Sequence, residues 1–277
     1  MKVLNPKILI LLLGLCSTPV NAFIQSITSD QSLLSFDIDK GQINIDYSLE
    51  SLEVSETEVD NYLSFLGSDL TNKLGVEIFF NKGISGSPYK ILASDDINIF
   101  TSHSIAAITK IEHDDSGVIL NANIYINLNL SLSADEKEYN YFGNTISHEV
   151  GHLFGLDHST SWRSTMSPHL NPGQHTWEED DLSGAKKSMG LKLSYPGVIS
   201  GTIIGGKDND KIFGAVVDLI ELENLKVVQS RVTDKFGYFE FINVDKSKKY
   251  LIGYGNFNFT SSYQAQYLTS YSGFCFN

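Results

Sequence analysis

Residues 148 to 158 concentrate groups that bind metals and move protons: His148-Glu149-Val150-Gly151-His152-Leu153-Phe154-Gly155-Leu156-Asp157-His158. On a helix, residues four apart stack one turn above the other on a single face. His148 and His152 can therefore aim two imidazole nitrogens at one point, at the distance a zinc ion needs. Glu149 sits beside His148 and reaches the same region without ligating. Gly155 follows His152 by three residues. A glycine tolerates the left-handed conformation that ends a helix and swings the chain round. That turn delivers His158 as a third ligand. Three protein ligands leave one tetrahedral position for water, as in catalytic rather than structural zinc sites. The chemistry expected is hydrolysis. Zinc brings the pKa of bound water to about 7, and a carboxylate such as Glu149 can take its proton and return it to a leaving amine.

The spacing is specific. A bare HExxH arises by chance in on the order of one chain in a hundred. Requiring Gly155 and His158 as well lowers that rate by roughly three orders of magnitude. A non-catalytic adhesin that kept zinc for stability would be expected to lose the glutamate or block the open position; Glu149 is intact.

Three helices and a set of strands must position these groups. Apolar Val59, Leu63, Leu66, Leu70 and Leu74 recur at steps of three and four, predicting an amphipathic helix over 56 to 74. The motif itself predicts a helix over 141 to 154. An acidic run opens a third helix over 178 to 189, where it suits the positive end of the dipole. Alternating stretches at 33 to 38, 43 to 47, 76 to 80 and 119 to 130 read as strands. Pro196-Gly197 marks a boundary. Beyond it lie short β-rich stretches at 198–204, 215–222, 227–232, 238–244 and 250–254, with turn clusters between them. They predict a small antiparallel β-sandwich. Asp234-Lys235-Phe236-Gly237 reads as one of its turns.

The pattern HExxHxxGxxH, followed by Ser164-Thr165-Met166-Ser167-Pro168, resembles the metzincin signature and its methionine turn, in the matrixin branch. Glu179-Asp180-Asp181-Leu182-Ser183-Gly184-Ala185 is similar to the start of the matrixin C-terminal helix. The resemblance is close over residues 148 to 190 and looser back to about residue 27. It implies an α+β zincin domain with a mixed sheet and three helices over residues 23–192. It also implies one catalytic zinc on His148, His152 and His158, Glu149 as the catalytic base, and endoproteolysis of extracellular proteins. It makes Met166 an apolar floor beneath the metal and residues 167 to 177 a wall of the pocket for the substrate side chain after the cut. Asp180 or Asp181 ties the last helix to the methionine turn. The strand 121 to 127 takes the role of a sheet edge that pairs with an extended peptide.

Matrixins often add structural zinc and calcium sites. The nearby candidates here, His103, His113, Asp114 and Asp115, read as surface loop, and His169 and His175 as exposed loop residues. Calcium stays open as a second cation. A propeptide cysteine that silences the zinc is missing. A mature amino group at Phe23 pairing with the Asp180-Asp181 region is an expectation drawn from activated matrixins. Residues 197–277 resemble a carboxypeptidase-regulatory or transthyretin-like sandwich, through Ser200-Gly201-Thr202-Ile203 and Thr233-Asp234-Lys235-Phe236-Gly237-Tyr238-Phe239.

The 277 residues, 42% hydrophobic and 19% charged, suit folded domains rather than disorder. A formal net charge of -13 argues against nucleic acid or an anionic membrane as partner. It suits a monomer that repels its copies. Lys2 and Lys7, the apolar run from Ile8 to Cys16 and Val20-Asn21-Ala22 read as a signal peptide over residues 1–22, so export and secretion are expected. The run is too short for a stable membrane span. Of the two cysteines, Cys16 leaves with the signal and Cys275 remains alone.

Overall fold

The computed structural model describes residues 26, 33–38, 41–83, 86–100, 104–159, 164–167, 172–205 and 209–255. Residues 1–22, expected to be a signal peptide, both cysteines, His103 and His169 lie outside them. The chain divides into two compact units, one reaching Leu193 and one from Ser194 onward.

The first unit contains β1 (Gln42–Ser48), α1 (Glu56–Leu74), β2 (Glu77–Lys82), β3 (Tyr89–Ser94), β4 (Ala107–His113), β5 (Ile119–Asn127), α2 (Phe142–Leu153) and α3 (Glu179–Ser188). Its sheet runs β2-β1-β3-β5-β4. The first three pairings are parallel, and β4 alone is antiparallel, to β5. Sequence encodes α1 at both ends and along one side. Ser55 and Glu58 form a reciprocal capping box, and Gly75 closes the helix at φ 77°. The predicted stripe Val59, Leu63, Leu66, Leu70 and Leu74 is buried. Ile43, Ile45, Ile78, Ile91, Ile124 and Ile126 of the sheet are buried with it, as are Ile146, Val150 and Leu153 of α2. Burying each such side chain is worth roughly 1.5–3 kcal/mol.

Three expectations change. Residues 33 to 38 form no strand; Ser35 makes an isolated parallel bridge to Val118, and the next amide, Phe36 N–H, turns to Ser188 O. Strands β3 and β4 are additional to those predicted. As a result β5, expected at the sheet edge, is paired on both sides, and the edge belongs to β4. The Asn127 N–H bonds to Ala106 O. Alternation along the ladder then turns the backbone groups of Ala107, Thr109 and Ile111 outward.

The second unit holds β6 (Gly197–Thr202), β7 (Ile204–Gly205), β8 (Asp210–Lys211), β9 (Val216–Glu221), β10 (Lys226–Val232), β11 (Tyr238–Val244) and β12 (Tyr250–Gly255). Antiparallel sheets β10-β9-β12 and β11-β6, with the pair β7-β8, account for them. Val217 and Leu219 of β9 share one buried cluster with Phe239, Phe241 and Val244 of β11. Asp234 makes the expected turn, its Oδ1 accepting the N–H groups of Phe236 and Tyr238 while Gly237 takes φ 70°.

Candidate metal centre

Helix α2 ends as its glycine requires. Gly155 adopts φ 81°. Its N–H bonds to His152 O and the Leu156 N–H to Gly151 O, the paired bonds of a Schellman motif. A Cβ on Gly155 would also stand 3.0 Å from Ser188 Oγ. The reversal places the Leu156 carbonyl 2.8 Å from His152 Nδ1 and carries the chain on to His158.

His148, His152 and His158 each offer a ligand atom within 4.8 Å of the others'. Among the described residues no other group of three His, Cys, Asp or Glu side chains converges in this way. The rings pack at centroid separations of 4.8, 5.1 and 5.0 Å. For His148 and His152 the protonation pattern is decided by the backbone. A carbonyl only accepts, so Nδ1–H of His148 donates to Thr165 O at 2.8 Å and Nδ1–H of His152 to Leu156 O. In the neutral rings both Nε2 atoms then carry bare lone pairs, and these face each other at 3.1 Å. Two acceptors at that distance repel unless a cation lies between them. Tetrahedral zinc with bonds of about 2.0–2.1 Å would set its ligand nitrogens about 3.3 Å apart. The donor set, its spacing and the fixed tautomers of His148 and His152 therefore fit zinc. Burial, then the charges that His152 and His158 would carry, hold the His148 pKa well below its usual value, favouring the neutral ligand.

Glu149 is buried on the neighbouring face of α2 and lies outside the triad. Its Oε2 accepts from the Thr109 hydroxyl of β4 at 2.6 Å. Burial raises its carboxyl pKa, against the opposing pull of His152 and Thr109. Thr109 is a residue that sequence reading missed: it lies 40 positions away and carries no local signal.

Beneath the site, Met166 is buried, and a Cβ on Gly151 would stand 2.1 Å from its Sδ. Only a glycine lets the methionine turn come this close to α2. Asp181 ties that turn to α3. Its Oδ1 accepts from the Ser164 hydroxyl and, at 3.2 Å, from Met166 N–H; its Oδ2 accepts Thr165 N–H at 3.0 Å and Glu178 N–H at 3.1 Å. Of the two candidate aspartates it is therefore Asp181 that holds the turn. Asp180 accepts from the Ser159 hydroxyl at 2.7 Å; Phe23 lies outside the described residues. Trp177 and Gln174 hold the following segment by donating to Ser147 O and Ser164 O.

Among the described residues, His113 and Asp114 join no metal cluster. His113 closes β4, its Nδ1 2.8 Å from Asp114 O, while Asp114 caps a turn through Ser116 and Val118. His175 is not an exposed loop residue. Its ring is half-buried against Tyr141, 5.5 Å away, because the Tyr62 hydroxyl anchors its carbonyl at 3.0 Å.

The matrixin family model matches residues 37–190, over half of the chain, and the protein belongs to the matrixin family. It is accordingly a zinc metalloendopeptidase that acts on protein substrates. Among curated proteins, no sequence matches it.

Proposed function

We propose that His148 and His152 through Nε2, and His158 through a ring nitrogen, hold one zinc ion, and that Glu149 is the general base for peptide hydrolysis. The observation that carries this reading is the pair of bare Nε2 atoms at 3.1 Å beside a buried carboxylate. Zinc bound there would supply the Lewis acidity that makes hydroxide available near neutral pH. Glu149 receives the proton of the attacking water on a carboxylate oxygen and delivers it to the leaving amine. Thr109 fixes the carboxylate by its hydrogen bond to Oε2. The outward backbone groups of Ala107, Thr109 and Ile111 suit an extended peptide added antiparallel to β4.

The protein is read as a secreted monomer, freed of residues 1–22, whose mature formal charge is about -15 after loss of Lys2 and Lys7. The shared core of β9 and β11 supports a β-sandwich of the carboxypeptidase-regulatory kind beyond residue 197.

The test uses residues 23–277 as wild type and Glu149→Gln. Both should bind one zinc per chain, and only the wild type should digest a peptide library. Absence of metal uptake, or turnover by Glu149→Gln at the wild-type rate, rejects the assignment.

A further inference from the structure

The reversal after α2 is gripped by a segment from near the start of the same unit. The peptide group joining Gly155 to Leu156 is held at both ends. Its N–H, on Leu156, bonds to Gly151 O at 3.0 Å, and its carbonyl, on Gly155, accepts Ser26 N–H at 2.9 Å. The first bond belongs to the motif that ends the helix. The second is supplied from outside it. Glycine has the widest choice of backbone conformations of any residue. Without Ser26, only the helix-ending pair of bonds would fix the direction in which the chain leaves Gly155.

Ser26 is itself anchored without help from the histidines. Its carbonyl accepts Leu34 N–H at 2.8 Å. Leu34 is buried against the turn, where a Cβ on Gly155 would meet Leu34 O at 3.3 Å and Leu34 Cβ at 3.4 Å. Ser35 N–H donates to Gly117 O and Ser35 O accepts Ile119 N–H, both at 2.8 Å, which fastens the segment to the start of β5. Phe36 N–H donates to Ser188 O at the end of α3, and the Phe36 ring meets Phe154 edge-on at 5.2 Å. Ser26 and residues 33–38 thus form a strap built on β5 and α3, which presents one donor to the reversal.

On the far side of His158, Ser159 N–H is held by Met166 O at 2.7 Å and the Ser159 hydroxyl by Asp180. The short stretch that carries His158 is therefore pinned at both ends, by the strap before it and by the methionine turn after it. We propose that Ser26 is a positioning residue for the metal centre, whose main-chain N–H, acting through Gly155, holds His158 ready as the third ligand. This step rests on the zinc site proposed above. The contact is main chain to main chain and uses no terminal amino group. A ligand held in place before the metal arrives loses less freedom on binding, so the benefit falls on zinc affinity. Groups that support a metal ligand are worth about 10–100-fold in affinity.

The test measures zinc affinity by chelator competition, and the unfolding midpoint of the metal-free protein, for residues 23–277 carrying Glu149→Gln to remove self-digestion. Ser26→Pro deletes the donor and should weaken zinc binding by about tenfold or more. Ser26→Ala keeps the N–H and should bind zinc as the parent does. A chain starting at residue 30, which lacks Ser26 altogether, should match Ser26→Pro and serves if the proline prevents folding. With His158→Ala added, Ser26→Pro should cost no further affinity, because the ligand it positions is gone. Unchanged zinc affinity in both the proline variant and the shortened chain overturns the inference. An equal loss with and without His158 overturns it too, leaving Ser26 as a general support of the fold. A parent protein that takes up no zinc overturns the metal site itself and this inference with it.

Discussion

The Thr109 hydroxyl of β4 donates to Oε2 of Glu149 on α2 across 2.6 Å. The edge strand and helix α2 are thereby coupled at the group proposed for proton transfer. Thr109→Val keeps the shape and removes the donor. It should lower kcat by about tenfold or more, since a misplaced general base loses part of its roughly 10²–10⁴-fold contribution, with zinc content unchanged. Steady-state kinetics beside metal analysis would decide; an unaltered kcat would show that Glu149 is held by packing alone.

His158 reaches the triad only because Gly155 reverses the chain. Replacing it should therefore open the metal site without unfolding α2. His158→Ala is expected to weaken zinc binding by more than about 100-fold, beyond the 10–100-fold typical for loss of a supporting residue. Competition against a chromophoric chelator measures this. Chelation of the wild type should abolish activity, and added zinc should restore it.

What could be read from the chain alone follows from how local each feature is. The three converging histidines lie within one helix and the turn after it, and α1 writes its buried face at a period of 3.6. Both were legible from spacing. Strand β4 was not, because an edge strand has no clean alternation: Ala107 is buried, while Ile108 and Thr109 are half-covered and Lys110 is exposed. Without β4, the neighbouring β5 was the natural candidate for the edge, although it lies inside the sheet. Thr109 and Asp181 act on α2 and on the methionine turn from 40 and 15 to 17 residues away. Only the family resemblance pointed to the aspartate, and nothing pointed to the threonine.

Asp181 gives a pH dependence whose sign is fixed. Burial, and then the neighbouring Asp180, push its carboxyl from 3.8 up to about 6, although Ser164 and the amides of Thr165 and Glu178 pull the other way. The folded protein thus holds a proton that the unfolded chain has already released between those values. This contribution is fully present below about pH 4 and is lost as pH rises to about 6, a change of roughly 3 kcal/mol. Urea unfolding of metal-free Glu149→Gln protein, with and without Asp181→Asn, isolates it from metal loss and self-digestion. The stability difference between the two should vary across pH 4 to 6 and be flat above about 7. A difference that is flat throughout would mean that Asp181 is ionised over the whole range.

Gly151 sets two opposing effects against each other. Alanine is favoured over glycine in a helix interior by about 1 kcal/mol, so Gly151→Ala would stabilise a free α2. In the folded protein, however, the new methyl stands 2.1 Å from Met166 Sδ, and Met166 is buried on a turn whose amides are held by Asp181. The atoms that meet the methyl all belong to the Met166 side chain, which must repack inside a buried place, and overpacking of this kind costs typically about 1–3 kcal/mol. The clash should outweigh the gain, giving a net destabilisation of up to about 2 kcal/mol. Because Thr165 O also orients His148, a displaced turn should weaken zinc binding at the same time. Adding Met166→Ala makes room for the methyl. The double variant should then regain zinc affinity relative to Gly151→Ala, and a failure to do so would place the strain elsewhere in α2.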